Sequence, residues 1–564
     1  MRIKTAITLM VLLGLAFTGL IWRCGSLQIL SCKKFEGMTQ KQQTVKIAQP
    51  SRRGMILDRN GNQLAVSNIT YTVFADPCFV QDNKETAIKL SGIINVPAHE
   101  ISQKITKPDN PKYSVLKKDV TLTEREAVFQ ARLKGISVEN SWQRYLPGGR
   151  ITSHVVGFCG VDNMGLAGLE LEYEKLLRGQ DGYSIFVADA ARRPIRLADT
   201  AQVKPRDGSS IVLTIDSTIQ SFTYNALMAQ YKKYQAESAV AIVMEPKSGD
   251  ILAMVSLPDF EPSQFFEANI ETMKNRSITD TYEPGSIFKP IVTAIAIDTG
   301  AVAKTTPIFC ENGTYIGKGF GRIGEYDSHR YGTLTPKGIL VHSSNIGMAK
   351  IGQKLGKQRL YDGLRLFGLG RKTGIDLPGE DAGLLWPVKG WTGYSVTRIP
   401  YGQEISVTSI QIIRAYCILA NGGKAVKPHL VKAVISEEGR NVELSNSASA
   451  AGFAIKPATA KWIVSDALVA VVKEGTGKPA ALKKWTVFGK TGTANIALPG
   501  GGGYDESSYI ASFVGGAPAE DPAIVVLVSI RRPNRSLRMG YTGGMVAAPV
   551  VKEIIEKTLT YLER

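Results

Sequence analysis

Three short motifs in a fixed order constrain this chain more than any other feature of its sequence. They are Ser286-Ile287-Phe288-Lys289, Ser343-Ser344-Asn345 and Lys490-Thr491-Gly492-Thr493. A serine hydroxyl is a poor nucleophile until a neighbouring group accepts its proton. Because helical side chains three residues apart share one face, about 5 to 6 Å apart at Cβ, Lys289 can reach Ser286. The first motif therefore predicts an activated serine nucleophile.

Two of these motifs occur more than once, so the surrounding sequence must decide between the copies. S-x-x-K is repeated at residues 31–34 and at residues 114–117, and neither copy has the other motifs placed around it. K-T-G is repeated at Lys372-Thr373-Gly374, where no strand pattern leads into it. The complete set, in order, occurs once.

The residues around Ser286 predict the start of a helix. Glu283-Pro284-Gly285 precedes the serine, and an apolar run from Ile287 to Ile297 stops at Asp298-Thr299-Gly300, a typical helix end. Free N–H groups and the dipole at a helix N-terminus favour an alkoxide by about 1 kcal/mol. Pro290 falls near the end of the first turn, the part of a helix that tolerates proline.

The third motif follows a predicted strand. Residues 485–489 are rich in aromatic and β-branched side chains, which are typical of strands. Gly492 then removes a side chain from that strand, as the close approach of a ligand backbone would require. We therefore expect a helix start and a strand to face each other across the site.

An apolar segment near the N-terminus predicts a membrane anchor. Arg2 and Lys4 precede an uncharged run from Ala6 to Trp22, which ends at Arg23. At about 1.5 Å per residue the run spans about 26 Å, enough to cross the hydrocarbon layer. No small-residue cleavage site follows it, which favours an uncleaved anchor over a signal peptide. The positive-inside rule then places residues 1–5 in the cytoplasm and the rest of the chain outside.

Composition excludes several other classes of protein. The 564 residues include 44% hydrophobic and 21% charged side chains, as in globular proteins of several domains. The six cysteines and five histidines show no metal-ligand spacing, so neither a metal nor another cofactor is expected. His342, beside the second motif, is interpreted as structural. The net charge of +18 suits anionic lipids or polymers, and no phosphate loop or basic-aromatic patch indicates nucleic acid.

The pattern of strands and helices predicts an α+β fold. We expect a tail at 1–5, an anchor at 6–22, an extracytoplasmic domain at 23–205 and a catalytic domain at 206–564. An Asn-Gly pair at 60 and 61 predicts a hairpin. Helices are expected between 286 and 420 and from 545 onward, and strands at 211–215, 240–244, 251–255, 485–493, 508–515 and 523–530. Strands on both sides of a helical middle indicate an antiparallel sheet packed between helices.

Taken together, these segments resemble the class B penicillin-binding proteins, the membrane-anchored D,D-transpeptidases of bacterial peptidoglycan synthesis. The order S-x-x-K, S-x-N, K-T-G is shared with that family and with class A β-lactamases. The stretches that carry the resemblance are residues 53–65, 165–170, 282–286 and 543–549. Residues 144–170 look more like the division-specific, septal branch. The resemblance implies a penicillin-binding/serine β-lactamase-like domain on an elongated pedestal of the dimerisation type.

The chain departs from the family pattern in one segment near the predicted site. Where many relatives have glycine after the glutamine and then T-P-L-Q, this chain has Gln403-Glu404 and residues 408–411 as T-S-I-Q. We expect this segment to border the site and to influence substrate preference. No acidic glycosyltransferase motif occurs before residue 205, which argues against a bifunctional class A enzyme.

The resemblance also implies roles for the motif residues. Ser286 would attack the carbonyl of the penultimate D-alanine of a stem peptide, with Lys289 as general base. This role requires the pKa of Lys289 to fall from about 10.4 toward 7, and Lys490 could contribute as a second cation. Ser343 would relay a proton to the leaving amine, and Asn345 would bind the acyl side-chain amide.

The K-T-G strand is expected to bind the other end of the substrate. Thr491 or Thr493, beside Gly492, would hold the substrate carboxylate, and the family pattern favours Thr493. The backbone N–H groups of Ser286 and Thr493 would form the oxyanion hole, where one lost donor slows a reaction about 10²- to 10³-fold.

The resemblance implies substrates and partners, and it leaves rivals open. β-Lactams should acylate Ser286, and the expected partners are stem peptides or their lipid-linked precursor, the inner membrane, a glycan-polymerising membrane protein and other division proteins. Related alternatives are an elongation-specific transpeptidase, a D,D-carboxypeptidase and a β-lactamase. A β-lactam sensor or a non-catalytic division scaffold belongs to another class, although only about five residues precede the anchor to serve a sensor.

Overall fold

The computed structural model describes residues 2–30, 44–108, 110, 113–188, 194–443, 452–498 and 503–563. They form two compact units, each built from several stretches of the chain. The smaller unit comprises Met1–Arg52, Ile69–Gln143 and Gly179–Asp207, and the larger comprises Arg53–Asn68, Arg144–Arg178 and Gly208–Arg564. The S-x-x-K copy at 31–34 lies outside the described residues.

The N-terminal segment of the smaller unit is one long apolar helix. It runs from Arg2 to Gly25 and continues as a π-helical turn, Ser26–Leu30. Residues Ile3–Ile29 have a mean hydropathy of 2.0 over their most apolar window, none of it buried against other parts of the protein. This helix is long and apolar enough to span a membrane, and it extends beyond the predicted anchor at both ends because the flanking residues continue the helix.

The described residues in the rest of the smaller unit form an antiparallel sheet and a second group of strands packed with helices. Thr44–Gln49, Gly182–Ala188 and Pro194–Val203 form an antiparallel sheet in that order. Helices Asn83–Ile94, Ala98–Thr106 and Leu122–Ala131 share a core with the strand Ser114–Val120. That strand contains the second S-x-x-K copy, and Lys117 there pairs with Glu124 at 2.7 Å. A strand turns successive side chains to opposite faces, so Ser114 and Lys117 cannot act together.

Within the larger unit, the predicted Asn-Gly hairpin is confirmed. Ile56–Leu57 pairs antiparallel with the start of Gln63–Ala75. The Asp58 carboxylate accepts the backbone N–H groups of Asn60 and Asn62, both at 2.8 Å, and closes the turn. Ser210–Leu213 lies parallel to Ile56–Leu57 and antiparallel to Val431–Ile435, which pairs in turn with Asn441–Glu443. The predicted strand at 211–215 therefore belongs to this sheet.

Five antiparallel strands form the central sheet of the larger unit. Their order is Ile251–Leu257, Ser238–Met244, Ile524–Arg531, Tyr504–Ala517 and Phe488–Ala497. Alternate residues of one strand enter different cores: Val240 and Ile242 pack on one face, and Ala241 and Val243 on the other. Both faces are buried, which explains why the strand reads as a continuous apolar run.

Helices cover both faces of the central sheet, as the α+β prediction requires. Ser217–Lys233 and Ala548–Tyr561 pack on one face. The other face carries Lys289–Asp298, Pro336–His342, Asn345–Leu355, Lys357–Leu366, Ser409–Ala420, Pro457–Trp462 and Val469–Lys473. Shorter helices are Ser153–Val156, Gly168–Glu172, Glu174–Leu177, Ile270–Met273, Arg276–Thr279, Ser395–Arg398 and Gly543–Val546. Two-stranded ladders pair Thr281–Tyr282 with Val407–Thr408, Ile308–Phe309 with Thr333–Leu334, and Thr314–Gly317 with Gly321–Gly324.

Candidate active site

Ser286 lies on a 3₁₀ turn, Gly285–Phe288, and not in an α-helix. The 3₁₀ turn leads directly into the α-helix, which begins at Lys289, so the serine lies in the first helical turn, as predicted. Pro290 accounts for the 3₁₀ geometry of that turn, because without an N–H it cannot donate to the Ser286 carbonyl, which accepts the Lys289 N–H instead. Gly285 has a φ of +57°, which glycine adopts without strain, and this conformation leads the chain into the turn.

The Lys289 side chain is completely buried, and its hydrogen-bond partners among the described residues are uncharged oxygens. Its Nζ donates to the Ser343 carbonyl oxygen, to Ser343 Oγ at 3.3 Å and to Asn345 Oδ1 at 2.8 Å. Burial disfavours the ammonium and lowers the pKa of Lys289 to about 7, although the charge of Glu325 opposes this shift. An amine with this pKa is partly neutral near pH 7 and can accept a proton.

The second motif turns between two helices. Ser343 ends the helix Pro336–His342 with a φ of +57°, and the Ser344 side chain caps the next helix by accepting Gly347 N–H at 2.9 Å. This turn brings the Ser343 hydroxyl to both lysines, since Lys490 Nζ donates to Ser343 Oγ at 2.9 Å. His342 is exposed, with its ring packed 5.1 Å from that of Tyr331, in keeping with a structural role.

Lys490 is buried at the edge of the central sheet. It lies on the outermost strand, Phe488–Ala497, and its Nζ also donates to the Thr491 carbonyl at 3.2 Å. Burial, and then the charge of Lys289, lower the pKa of Lys490 well below its ordinary value. We expected Lys490 to lower the pKa of Lys289, whereas burial is the main cause of that shift.

Gly492 is required by the protein's own backbone. A Cβ at this position would lie 2.9 Å from Ile287 Cγ2 and 3.3 Å from the Pro284 carbonyl oxygen. The missing side chain therefore lets the serine turn approach the K-T-G strand. We had predicted that Gly492 makes room for a ligand backbone, whereas here it makes room for the protein's own chain. The same close packing brings Ser286 beside the strand.

The two threonines of the third motif differ in their surroundings. The Thr491 hydroxyl lies 2.6 Å from that of Thr476 and is buried. Thr493 is half-exposed, and its Oγ1 accepts the N–H of Gly543 at 3.1 Å. This bond leaves the Thr493 hydroxyl proton free to bind an anion, so the geometry favours Thr493 over Thr491 as the carboxylate ligand.

The comparisons with known proteins agree with this arrangement. Residues 239–556 match the family described as penicillin binding protein transpeptidase domain, and residues 48–213 match the penicillin-binding protein dimerisation domain. Stage V sporulation protein D of Bacillus subtilis is 33% identical over 542 residues, which cover 96% of this chain and 83% of that protein. Peptidoglycan D,D-transpeptidase FtsI of Escherichia coli is 30% identical over 558 residues, covering 97% and 89%.

This chain belongs to the penicillin-binding protein transpeptidase family.

Solved structures of penicillin-binding proteins share its fold. A peptidoglycan synthetase from Bifidobacterium adolescentis has a TM-score of 0.73 at 26% identity, covering 92% of this chain and 97% of its own. Penicillin binding protein 3 of Mycobacterium tuberculosis, complexed with aztreonam, has a TM-score of 0.69 at 25% identity, with the same coverage. The predicted class B penicillin-binding protein fold, with a dimerisation-type N-terminal domain, is confirmed.

In this penicillin-binding protein the second K-T-G copy has a structural role. Residues 372–374 are in a loop outside any strand. The Thr373 N–H and hydroxyl both donate to Glu380 Oε1 at 2.6 Å, and Gly374 N–H donates to Glu380 Oε2 at 3.1 Å. Because Thr373 and Gly374 both bind this one internal carboxylate, the motif stabilises a turn.

The segment that departs from the family pattern borders the serine turn. Glu404 N–H donates to Glu283 Oε1 at 2.9 Å, three residues before Ser286. Glu404 has a φ of +56°, a conformation that glycine adopts without strain. Glu283 and Glu404 line a cavity of about 280 Å³ together with Trp386 and Trp391. The segment that contains Glu404 therefore lies next to the serine turn, as the sequence predicted.

Sequence reasoning missed Glu325. This residue follows the strand Gly321–Gly324, and its carboxylate accepts the Ser344 hydroxyl at 2.5 Å and the Asn345 N–H at 2.7 Å. It belongs to no motif, and an isolated glutamate after a glycine-rich hairpin gives no signal in one sequence. The next residue, Tyr326, hydrogen-bonds Tyr541 at 3.0 Å, two residues before the Gly543 that binds Thr493.

Proposed function

We propose that this penicillin-binding protein is a membrane-anchored peptidoglycan D,D-transpeptidase that works through an acyl-enzyme on Ser286. The observation that carries the proposal is the Lys289 amine, which is buried, hydrogen-bonds to uncharged oxygens and has a pKa of about 7. The name of the Escherichia coli relative, a peptidoglycan D,D-transpeptidase, supports the same reaction.

In the first step the serine oxygen attacks the carbonyl of the penultimate D-alanine. The neutral Lys289 amine accepts the hydroxyl proton as the Oγ–C bond forms. The negative charge that develops on the carbonyl oxygen is bound by the backbone N–H groups of Ser286 and Thr493. Collapse of this intermediate breaks the C–N bond and releases the terminal D-alanine.

The leaving amine needs a proton, and Ser343 is placed to deliver it. Its hydroxyl lies 3.3 Å from Lys289 Nζ and 2.9 Å from Lys490 Nζ. A proton moves from lysine to Ser343 as Ser343 gives its own to the amine. Asn345 binds the acyl side-chain amide, while the Thr493 hydroxyl and Lys490, beside Gly492 and Thr491, hold the substrate carboxylate.

In the second step an amine of another stem peptide attacks the acyl-enzyme. Lys289 takes a proton from that amine, and the Ser286 oxygen leaves and is protonated again. A D,D-carboxypeptidase or a β-lactamase would use water here. A penicillin blocks a transpeptidase because its acyl-enzyme hydrolyses slowly, so deacylation separates the two classes.

Intact-mass analysis with benzylpenicillin tests the proposal. We expect one penicilloyl adduct on the wild-type protein that persists for minutes to hours, and none on the Ser286→Ala variant. The Ser277→Ala variant, a buried serine outside the site, serves as a control and should be acylated normally. An adduct on Ser286→Ala would refute the nucleophile, and rapid turnover on the wild type would indicate a β-lactamase.

The pH dependence of acylation tests the role of Lys289. Only the neutral amine can accept the serine proton, so the acylation rate should rise about tenfold per pH unit below 7 and level off above it. Stopped-flow measurements with a fluorescent penicillin between pH 5 and 9 report this profile. A rate that is flat through pH 7 would contradict a lysine base.

We further propose that the apolar helix places residues 1–5 in the cytoplasm, with residues 23–205 as pedestal and 206–564 as catalytic domain outside the membrane. The FtsI relative and the resemblance at residues 144–170 support a septal role, in which the partner would be a glycan-polymerising membrane protein. The Bacillus subtilis relative is named for sporulation, so a sporulation role is the second candidate. A fluorescent fusion protein found at midcell in growing cells would support the septal role, and a fusion protein seen only in sporulating cells would support the sporulation role.

A further inference from the structure

Glu325 holds the second motif from the side opposite to the lysines. Its Oε1 accepts the Ser344 hydroxyl at 2.5 Å, and its Oε2 accepts the Asn345 N–H at 2.7 Å. The preceding carbonyl, of Gly324, accepts Asn345 Nδ2 at 3.2 Å. The donors of Asn345 are therefore bound to this hairpin, which turns its Oδ1 toward Lys289 Nζ at 2.8 Å.

The second motif has a conformation that its surroundings must impose. Ser343 has a left-handed φ of +57°, which is disfavoured for a residue with a side chain. Ser344, the next residue, is completely buried. A carboxylate that binds Ser344 and the Asn345 N–H at once fixes the chain just after the strained residue. This is the point from which the Ser343 hydroxyl reaches both lysines.

We propose that Glu325 is a positioning residue for acyl transfer, which holds Ser343 and Asn345 against the Lys289 amine by binding Ser344 and the Asn345 backbone. This inference rests on the proposed function. Glu325 acts through the second motif, since the hydrogen bonds of its carboxylate are to Ser344 and Asn345.

The charge of Glu325 gives this role a measurable signature. Burial lowers the pKa of Lys289 to about 7, and the Glu325 carboxylate opposes that shift. Lys490 faces Lys289 from the sheet edge. Cys310 and Tyr331 interact electrostatically with Glu325, and the Glu311–Lys350 pair interacts in turn with Cys310. Removing the Glu325 charge should therefore lower the pKa of Lys289 further, which a purely structural cap would not do.

The test is the Glu325→Gln variant in the full-length protein, with acylation by a fluorescent penicillin followed between pH 5 and 9. We expect the rate on the high-pH plateau to fall about 10- to 100-fold, because the amine becomes a weaker base and its partners lose their placement. The pH of half-maximal rate should move to a lower value. Glu311→Gln removes a neighbouring carboxylate that pairs with Lys350, and it should leave both quantities unchanged.

Two results would overturn the inference. One is a Glu325→Gln variant with wild-type rate and midpoint. The other is a slower variant with an unmoved midpoint, which would make Glu325 a helix cap only. If Glu325→Gln does not fold, Glu325→Asp keeps the charge on a shorter side chain. That variant should retain the wild-type midpoint with a reduced plateau, and a wild-type plateau would again refute the role.

The wild-type protein separates this inference from the proposed function. If the wild type forms no penicilloyl adduct, the proposed function fails. If the wild type is acylated normally and the Glu325 variants behave as it does, the positioning role alone fails.

Discussion

The larger unit contains two clusters of buried cations, and the cost of burying a positive charge is met differently in each. In the arginine cluster, Arg53 is completely buried and binds Glu170 and Glu174, each at 2.6 Å, while Arg144 binds the other oxygen of Glu170 at 2.7 Å. In the lysine pair, Lys289 and Lys490 are equally buried but bind hydroxyl, amide and carbonyl oxygens.

The difference decides which cluster can do chemistry. Burial is the largest effect on Arg53 and lowers its pKa, but the charges and hydrogen bonds around it, led by Glu170 and including Glu174, together raise the pKa above its ordinary value, so the guanidinium stays charged. In the part of the chain that the structure describes, neither lysine hydrogen-bonds or pairs with a carboxylate, and burial lowers the pKa of both. A buried cation with carboxylate partners stabilises the fold, whereas one with uncharged partners becomes a base.

The largest effect should come from removing the base. Lys289→Met should lower the rate of acylation by penicillin at least about 10⁴-fold, or about 5 kcal/mol in the activation free energy, as the loss of a catalytic group does elsewhere. Intact-mass measurements over hours detect such slow acylation. The exposed Lys354→Met on a neighbouring helix is the matched control and should be acylated at the normal rate.

The same substitution should not destabilise the fold. A pKa lowered from 10.5 to about 7 corresponds to roughly 5 kcal/mol of unfavourable burial at neutral pH. Because the unfolded chain binds more protons than the folded one between these values, this penalty shrinks as the pH rises. We expect Lys289→Met to raise the free energy of unfolding at pH 7 by about 1 to 3 kcal/mol, after the lost hydrogen bonds are counted. A clearly lower free energy of unfolding for Lys289→Met than for the wild type, measured by urea denaturation, would contradict this account of the lysine.

Breaking the arginine cluster should have the opposite result, a loss of stability without a loss of acylation. Glu170→Gln leaves Arg53 and Arg144 buried with one carboxylate fewer, and should reduce the free energy of unfolding by about 3 to 5 kcal/mol. Acylation per folded molecule should be unchanged. Glu172→Gln, an exposed neighbour, should change stability by less than about 0.5 kcal/mol. Equal stability of the two variants in urea would show that the cluster is not a structural centre.

Both clusters were partly visible in the sequence, for different reasons. The lysines were found because S-x-x-K and K-T-G imply chemistry, and a helix start and a strand selected the right copies. Arg53, Arg144 and Glu170 were noted as parts of family-like segments, but the chain gives no reason why residues more than a hundred positions apart should pair.

The details that sequence could not supply depend on tertiary packing. Pro290 gives the first helical turn, Gly285–Phe288, its 3₁₀ geometry, and Gly492 makes room for Ile287 and Pro284. The strand Ser210–Leu213 was predicted correctly, yet the sheet that it joins depends on pairing with Val431–Ile435. Glu325 was missed because its role exists only once the hairpin packs against the second motif.

The smallest effect concerns the ion pair of His429 and Asp250, which is intermediate between the arginine cluster and the lysine pair. His429 Nε2 lies 3.0 Å from Asp250 Oδ1, and both side chains are mostly buried. Burial lowers the pKa of His429, but the bond to Asp250, the Lys427 carbonyl and the nearby carboxylate charges together outweigh it and raise the pKa. Burial likewise raises the pKa of Asp250, but the bond to His429 and its charge, with Ser248 and Arg59, together lower the pKa. This cation has one carboxylate partner and can still titrate.

A double-mutant cycle on this pair would show how far one carboxylate stabilises a buried cation. The raised pKa of His429 gives stability that is full below about pH 6.5 and is lost as the pH rises through its folded value. The lowered pKa of Asp250 gives stability that is full above about pH 4 and is lost in acid. Asp250→Asn and His429→Gln should therefore show a coupling of about 1 kcal/mol at pH 5.5 and less at pH 9, measured by urea unfolding. A coupling that grows between pH 5.5 and pH 9 would mean that the pair binds through neutral imidazole. His429 would then not behave as a cation stabilised by its carboxylate, and the contrast between the arginine cluster and the lysine pair would not extend to it.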